Sequence, residues 1–483
     1  MQVQLSELIL VVAFVRRLIL LSLCFVYLPV QALEAPAARH LLTRTGFEPR
    51  LVEIEDLQNS SHAESIEKLL HGLRKQPTVE PPAWVHAPPP NVRAMRKAPG
   101  NEKEAFRKRQ RALGWELKSW WLREMIATPS PLTERMALFW HNHFASSLRK
   151  LKIPHPLYRQ NELFRKHGTQ NAADLLRALI RDPAVLVYLD NHRNVKRAPN
   201  ENFARELLEL FTLGEGHYQE SDIKAAARAM SGYGIDKVSG KFKFRAKRHD
   251  NGVKVLFGQS GNFDGEAVVE ILLAHPRTAE FWSEKLWFEF TGSVAPRQRV
   301  RALAQTLRSN NYAVAPWLRS LFLMPEFSDP ALYGTRIKSP TEFVVGLARS
   351  FNLQLPPGPA LARATRRLGQ DLFDPPNVRG WPGGHSWISA DSLLARQQLI
   401  GRLTRGKEMP MMAMAKSKRG RTRGASATVL QRWLAGLPPR LSSRAQITSL
   451  LLPLAPVEAQ VSTASPTVRF VESLLLDPVY QLN

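Results

Sequence analysis

Apolar residues along most of this chain recur three or four positions apart, the spacing of a single buried stripe on a helix. Met136, Phe139, Trp140 and His143 form one such stripe, and Phe203, Leu207, Leu210 and Phe211 form another. Cap residues punctuate the pattern. Ser130-Pro131 supplies an N-cap and a proline at the first helical position. Asn200 opens a helix that stops at Gly214, Ser339-Pro340-Thr341-Glu342 reads as a capping box, and Asp264 and Ser389 are further N-caps. Residues 39–70 read as two short helices around Gly46 and Pro49. Two-residue alternation is confined to 241–245, after a Ser239-Gly240 turn, and to 253–257; together these predict one hairpin. The predicted fold class is therefore all-α: a single large helical domain with a small inserted β-hairpin. No internal repeat is visible, and two or three helices close the chain.

The first residues stand outside this pattern. Arg16 and Arg17 precede an apolar run from Leu18 to Leu28 broken only by Ser22, followed by Pro29 and Val30-Gln31-Ala32. Basic, then apolar, then small at minus three and minus one is the order of a secretory signal, residues 1–32, cleaved after Ala32. A spanning helix needs about 20 apolar residues, and the arginine pair splits the longer stretch, so an uncleaved anchor is the lesser reading. The expectation is a chain exported to the periplasm or beyond, with residues 33–483 as the helical domain. The only cysteine, Cys24, falls inside the signal, which leaves no disulfide, Cys–metal site or thiol nucleophile.

Composition adds one feature. Lys and Arg outnumber Asp and Glu by 67 to 42, a formal charge of +25 on 483 residues. Such an excess favours acidic partners: acidic polymer, anionic lipid or nucleic acid. Export disfavours nucleic acid, and the densest charge sits in segments read as loops. A Pro-rich stretch at about 76–100 reads as an extended linker, and about 404–425 reads as a basic loop.

Four constellations carry candidate chemistry. In Phe139-Trp-His-Asn-His-Phe144 the two histidines are two apart; on a strand they would share a face, but on a helix they point about 200° apart and cannot chelate one ion. His143 lies on the core-facing stripe, and His141 on another face with Leu138 and Ala145. In 200–214, Asn202, Arg205, Glu206 and Glu209 form a polar face. Glu206 and Glu209 would hold a hard divalent cation or work as an acid/base pair; an ion-pair ladder of Arg205 with Glu201 and Glu209 accounts for much of the same pattern. The adjacent His249-Asp250 sits beside a turn. The loop 369–387, with Asp374, Asn377, Arg379, Trp381, His385 and Trp387 among Gly and Pro, would line a pocket mouth, stack on a sugar ring, or clasp neighbouring helices.

The strings Leu-Phe-Trp-His-Asn-His-Phe (138–144), Pro-Asn-Glu-Asn-Phe-Ala-Arg-Glu-Leu-Leu-Glu-Leu-Phe-Thr-Leu-Gly (199–214), Gly-Asn-Phe-Asp-Gly (261–265), Lys-Ser-Pro (338–340) and Pro-Pro-Asn-Val-Arg-Gly-Trp-Pro-Gly-Gly (375–384) resemble the family called domain of unknown function 1800. The resemblance runs from about Arg39 to the C-terminus. It implies a largely helical, exported bacterial protein with a second exported, sulfatase- or phosphatase-like protein as functional partner, and it brings no established activity. Two readings stay open. In the first, the protein is metal-binding or hydrolase-like and acts on envelope or extracellular polymer: His143, Glu206 and Glu209 hold a divalent metal, His249, Asp250 and Glu206 are catalytic, and Asn377, Arg379, Trp381 and Trp387 form a binding loop. In the second, it is a non-catalytic binding or assembly partner. An open pocket lined by these residues favours a ligand site, whereas mutual pairing without a cavity favours assembly.

Overall fold

The computed structural model describes residues 32–404, except 237 and 356–357, together with 428–458 and 465–483. Nearly all of the predicted signal, and almost the whole basic loop, lie outside the described residues.

The fold is helical, as the periodicity predicts. Among its helices, in chain order, are α1 (Ala35–Thr45), α2 (Gly100–Ala127), α3 (Pro131–His143), α4 (His155–Lys166), α5 (Glu201–Glu206), α6 (Glu220–Ala229), α7 (Gly265–Ala274), α8 (Pro276–Thr291), α9 (Pro340–Ser350) and α10 (Ala390–Thr404). Three helices close the described chain. Among the described residues no helix is long and apolar enough to cross a membrane.

The capping box at Ser339 forms: its hydroxyl accepts from Glu342 N–H while Glu342 accepts from Ser339 N–H. Asn200 and Asp264 cap α5 and α7 through their side chains. Ser130 does not cap α3; its hydroxyl bonds that of Thr133 instead. The N-terminal segment holds three helices rather than two, because Leu51–Leu57 and His62–His71 follow α1 separately. At the bend after α1, a Cβ on Gly46 would stand 2.6 Å from Pro131 Cβ, so the glycine permits the close approach to α3. The Pro-rich stretch is packed on α2: Glu124 accepts from the Thr78 and Val79 amides at 2.8 and 2.6 Å, and the Trp120 indole donates to Val79 O.

The strand segments form two hairpins, not one. β1 (Tyr233–Ile235) pairs antiparallel with β2 (Phe242–Phe244), and β3 (Lys254–Leu256) with β4 (Gln259–Gly261). Phe257 and Gly258 both have positive φ between β3 and β4, the two-residue turn whose twist matches a hairpin, so β3 closes locally and never meets β2.

One continuous apolar core runs through the helices, with Trp121, Trp140, Trp282 and Trp317 fully buried. Ion pairs are buried within it. Arg165 of α4 forks onto Glu134 of α3 at 2.7 and 2.8 Å, and Glu134 also accepts from the Trp121 indole. Arg39 and Lys338 converge on Glu48.

Candidate functional site

Loop 369–387 is both clasp and pocket wall. It is pinned to the end of α3 by the His-Asn-His run. The Phe373 amide donates to His141 Nε2 at 3.1 Å, and the Trp381 amide donates to Asn142 Oδ1 at 2.8 Å. Asp374 accepts from the Ser147 hydroxyl and pairs with Arg149. Gly380 has φ +79, and a Cβ there would lie 2.2 Å from Asn142 Oδ1, so loop and helix are in intimate contact.

Beneath this clasp lies a cavity of about 650 Å³. One face of α3 supplies Arg135, Phe139, Asn142 and His143; α8 adds Phe281, Lys285, Phe288 and Glu289; Arg336, Ser339 and Glu342 come from the start of α9 and the turn before it. The loop contributes Arg379, Trp381, His385 and Trp387. Arg135 is held between Glu342 and Glu289, and Arg336 pairs with the same two carboxylates. Lys285 makes no ion pair among the described residues; its ammonium sits 5.1 Å from the Phe281 ring centroid, and burial lowers its pKa.

His143 faces this cavity. Its Nε2 is 3.1 Å from Phe211 O, and since a carbonyl only accepts, Nε2 carries the proton and Nδ1 the lone pair. Burial, and secondarily Lys285, push its pKa down to about 3, so the ring is neutral. His141 is the opposite tautomer: Nε2 accepts, Nδ1 is protonated, and Nδ1 has no partner among the described residues. Contrary to its place off the apolar stripe, His141 is the more deeply buried of the two, because the loop covers its face of α3.

The segment after α5 widens into a π turn, Leu207–Thr212. Such turns recur at functional sites. The wider turn moves Glu209 off the row of Arg205, which pairs with Glu201 and, at 2.7 Å, with Glu220. Only the Glu201 half of the predicted ladder therefore forms. Glu209 accepts from the Tyr218 hydroxyl at 2.7 Å and pairs with Arg379 at 2.9 Å. The Phe211 carbonyl in this turn accepts from both His143 and the Trp282 indole. Glu206 is half-buried without hydrogen bond or ion pair among the described residues, and burial, then Glu209, raise its pKa.

The structure thus brings His143, Arg379, Trp381 and Trp387 onto one cavity, with Glu209 reaching it through Arg379 and Asn377 shaping the turn by accepting from the Arg379 amide. It does not gather His143, Glu206 and Glu209 into one ligand set: among the described residues no group of three or more His, Cys, Asp or Glu side chains is placed to hold a metal ion. Nor do His249 and Asp250 line the cavity. His249 is buried with Nδ1 against Ser231 O and its ring edge on Phe244, and Asp250 is paired with Arg228 at 2.8 Å, which holds the carboxyl down to about 2. These two residues fasten the hairpin region to α6. Sequence reasoning missed Lys285, Arg135 and Arg336. Arg135 was within reach of it, since Arg135, Phe139, Asn142 and His143 follow helical spacing on a single face.

The fold and this cavity define a mostly helical protein with an aromatic, cation-bearing pocket under a Gly- and Pro-rich clasp. The chain belongs to the family described as a protein of unknown function (DUF1800), whose model matches residues 40–482. Neither a curated protein nor a solved structure matches it.

Proposed function

We propose that the chain is an exported binding protein whose cavity takes a short stretch of acidic polymer, presenting it to a sulfatase- or phosphatase-like partner. The observation that carries this reading is that Lys285, which makes no ion pair among the described residues, and a neutral His143 acceptor share one cavity with aromatic walls. Aromatic faces pack against the apolar side of a sugar ring. Lys285 and Arg379 meet a carboxylate or sulfate, and His143 Nδ1 accepts from a hydroxyl. A histidine with a pKa near 3 is a weak general base at neutral pH, which favours binding over proton abstraction by this residue.

A hydrolytic reading is favoured by one observation, the unpaired carboxyl of Glu206 with its raised pKa beside Glu209. In that scheme Glu206 donates a proton while Arg379 keeps Glu209 in place.

Titration of tryptophan fluorescence with oligogalacturonate trimers, a sulfated disaccharide and neutral maltotriose tests the proposal. Saturable quenching by the anionic sugars alone, weakened at least tenfold in Lys285→Ala, is expected. Equal response to maltotriose, or none to any anion, overturns it. Release of reducing ends during the titration, abolished in Glu206→Gln, would select the hydrolytic reading.

A further inference from the structure

The molecule holds a second, larger cavity, a groove of about 1030 Å³, on the other side of the same loop. Trp381 lines both, so the clasp is the partition between them.

The groove's outer wall is the exposed half of α2. Lys103, Arg107 and Arg111 lie four residues apart on one row of that helix, about 6 Å per step along its axis. Across the opening stands Lys152. None of these four makes an ion pair among the described residues, whereas buried Lys118 and exposed Arg149 and Arg366, which also line the groove, are matched by Asp371 and Asp374. Like charges four apart on a helix destabilise it, so an unrelieved row is a cost that a bound anion removes.

The floor narrows the chemistry. Gln110 is 5% exposed, lines the groove, and its Oε1 has no hydrogen-bond partner among the described residues. That buried acceptor calls for a donor from the occupant. Phe106, Leu148 and Trp115 supply apolar surface beside it. An acyl chain would cover Gln110 and the Lys118–Asp371 pair without offering a donor to the Gln110 oxygen. A nucleic acid strand needs free aromatic faces for its bases, and the Trp115 ring is already engaged by Lys118, Arg363 and Arg366 at 5.1 to 5.8 Å from its centroid. An acidic saccharide fits: hydroxyl donors for Gln110, C–H faces for the apolar floor, and a charge on successive units for the row.

We infer that this groove is a second subsite for an acidic polysaccharide, continuing past Trp381 from the first cavity. The identity of the polymer rests on the reading of that cavity; the existence of the subsite does not.

The test compares oligogalacturonates of three and twelve units, with a twelve-nucleotide oligo-dT as control, on the full chain and on the triple variant Lys103→Ala, Arg107→Ala, Arg111→Ala. The substituted side chains lie on the helix's solvent side, and removing their repulsion leaves thermal stability equal or higher. The wild type binds the long oligomer at least tenfold tighter than the short one, and the triple variant loses that gain while keeping trimer binding. Gln110→Ala weakens the long oligomer only. A triple variant that binds the long oligomer as tightly as wild type overturns the subsite, even where the trimer binds. Oligo-dT bound as tightly as the saccharide at equal salt overturns the saccharide assignment. Absence of trimer binding with length-dependent binding of the long chain overturns the first cavity's reading and leaves the groove standing.

Discussion

Asn142 does more for the site than either histidine beside it. Its Oδ1 accepts from the Trp381 amide and its body fills the space that a side chain at residue 380 would need. Asn142→Ala leaves a buried amide unsatisfied, a loss of about 1–3 kcal/mol, and frees the segment that carries Arg379 and Trp381. The expected outcome is faster hydrogen exchange at residues 375–387 and ligand quenching weakened about tenfold; unchanged exchange there would show that other contacts hold the loop. Gly380→Ala, forced into a left-handed backbone and against Asn142, gives the same phenotype. At this scale the sequence was partly legible. The 100°-per-residue turn correctly separated the two histidines: His141 meets the Phe373 amide and His143 the Phe211 carbonyl. Invisible was the tautomer of each ring, which is set by backbone groups 68 and 232 positions away. His249-Asp250 misled for the opposite reason. Adjacency in sequence suggests a dyad, but the structure gives each its own distant partner, Ser231 and Arg228.

Elements were legible where local chemistry decides them. The Ser339, Asn200 and Asp264 caps act within their own first turns, and all three form. Pairing between elements is a tertiary matter, and there the single expected hairpin became two. Helix α2 shows the same limit: its first half is largely exposed and its second half buried on nearly all sides, so no single stripe runs its length. The contact between α3 and α4 also rests on a pattern that periodicity hides, a charge pair in the core. Arg165 and Glu134 are at most 1% exposed. Arg165→Met strands Glu134 without its counter-charge and is expected to cost about 3–5 kcal/mol. Adding Glu134→Leu should recover most of that, since the apolar pair no longer pays for desolvation. Urea midpoints of the single and double variants measure both; a double variant no more stable than the single one would mean that the pair contributes through Trp121, whose indole Glu134 also accepts.

At the scale of the whole molecule, net charge proved a poor guide to surface. Arg39, Arg44, Arg135, Arg165, Arg349 and Arg396 are all 3% exposed or less. Part of the excess is therefore structural, and among the cations without an ion pair in the described residues are the α2 row and Lys285 of the first cavity. The same burial governs the response to acid. His40, His141 and His143 are each pushed down to about 3, with burial the largest cause. Between pH 6.5 and 3 the unfolded chain protonates these rings and the folded chain does not, so stability falls as pH falls. Asp182 acts in the other direction: burial raises it to about 7, and from pH 4 to 7 the folded state holds a proton that the unfolded state has released. Among these four groups the three rings outweigh the one carboxyl, so together they make stability fall as pH falls. Glu48 and Glu342, held below the usual carboxylate range by Arg39 with Lys338 and by Arg135 with Arg336 against the opposing effect of burial, add to the loss below about pH 4.5. Chemical denaturation across pH 7 to 4 should show this decline, and His143→Gln should make it shallower. A flat profile would mean that the histidines protonate without unfolding.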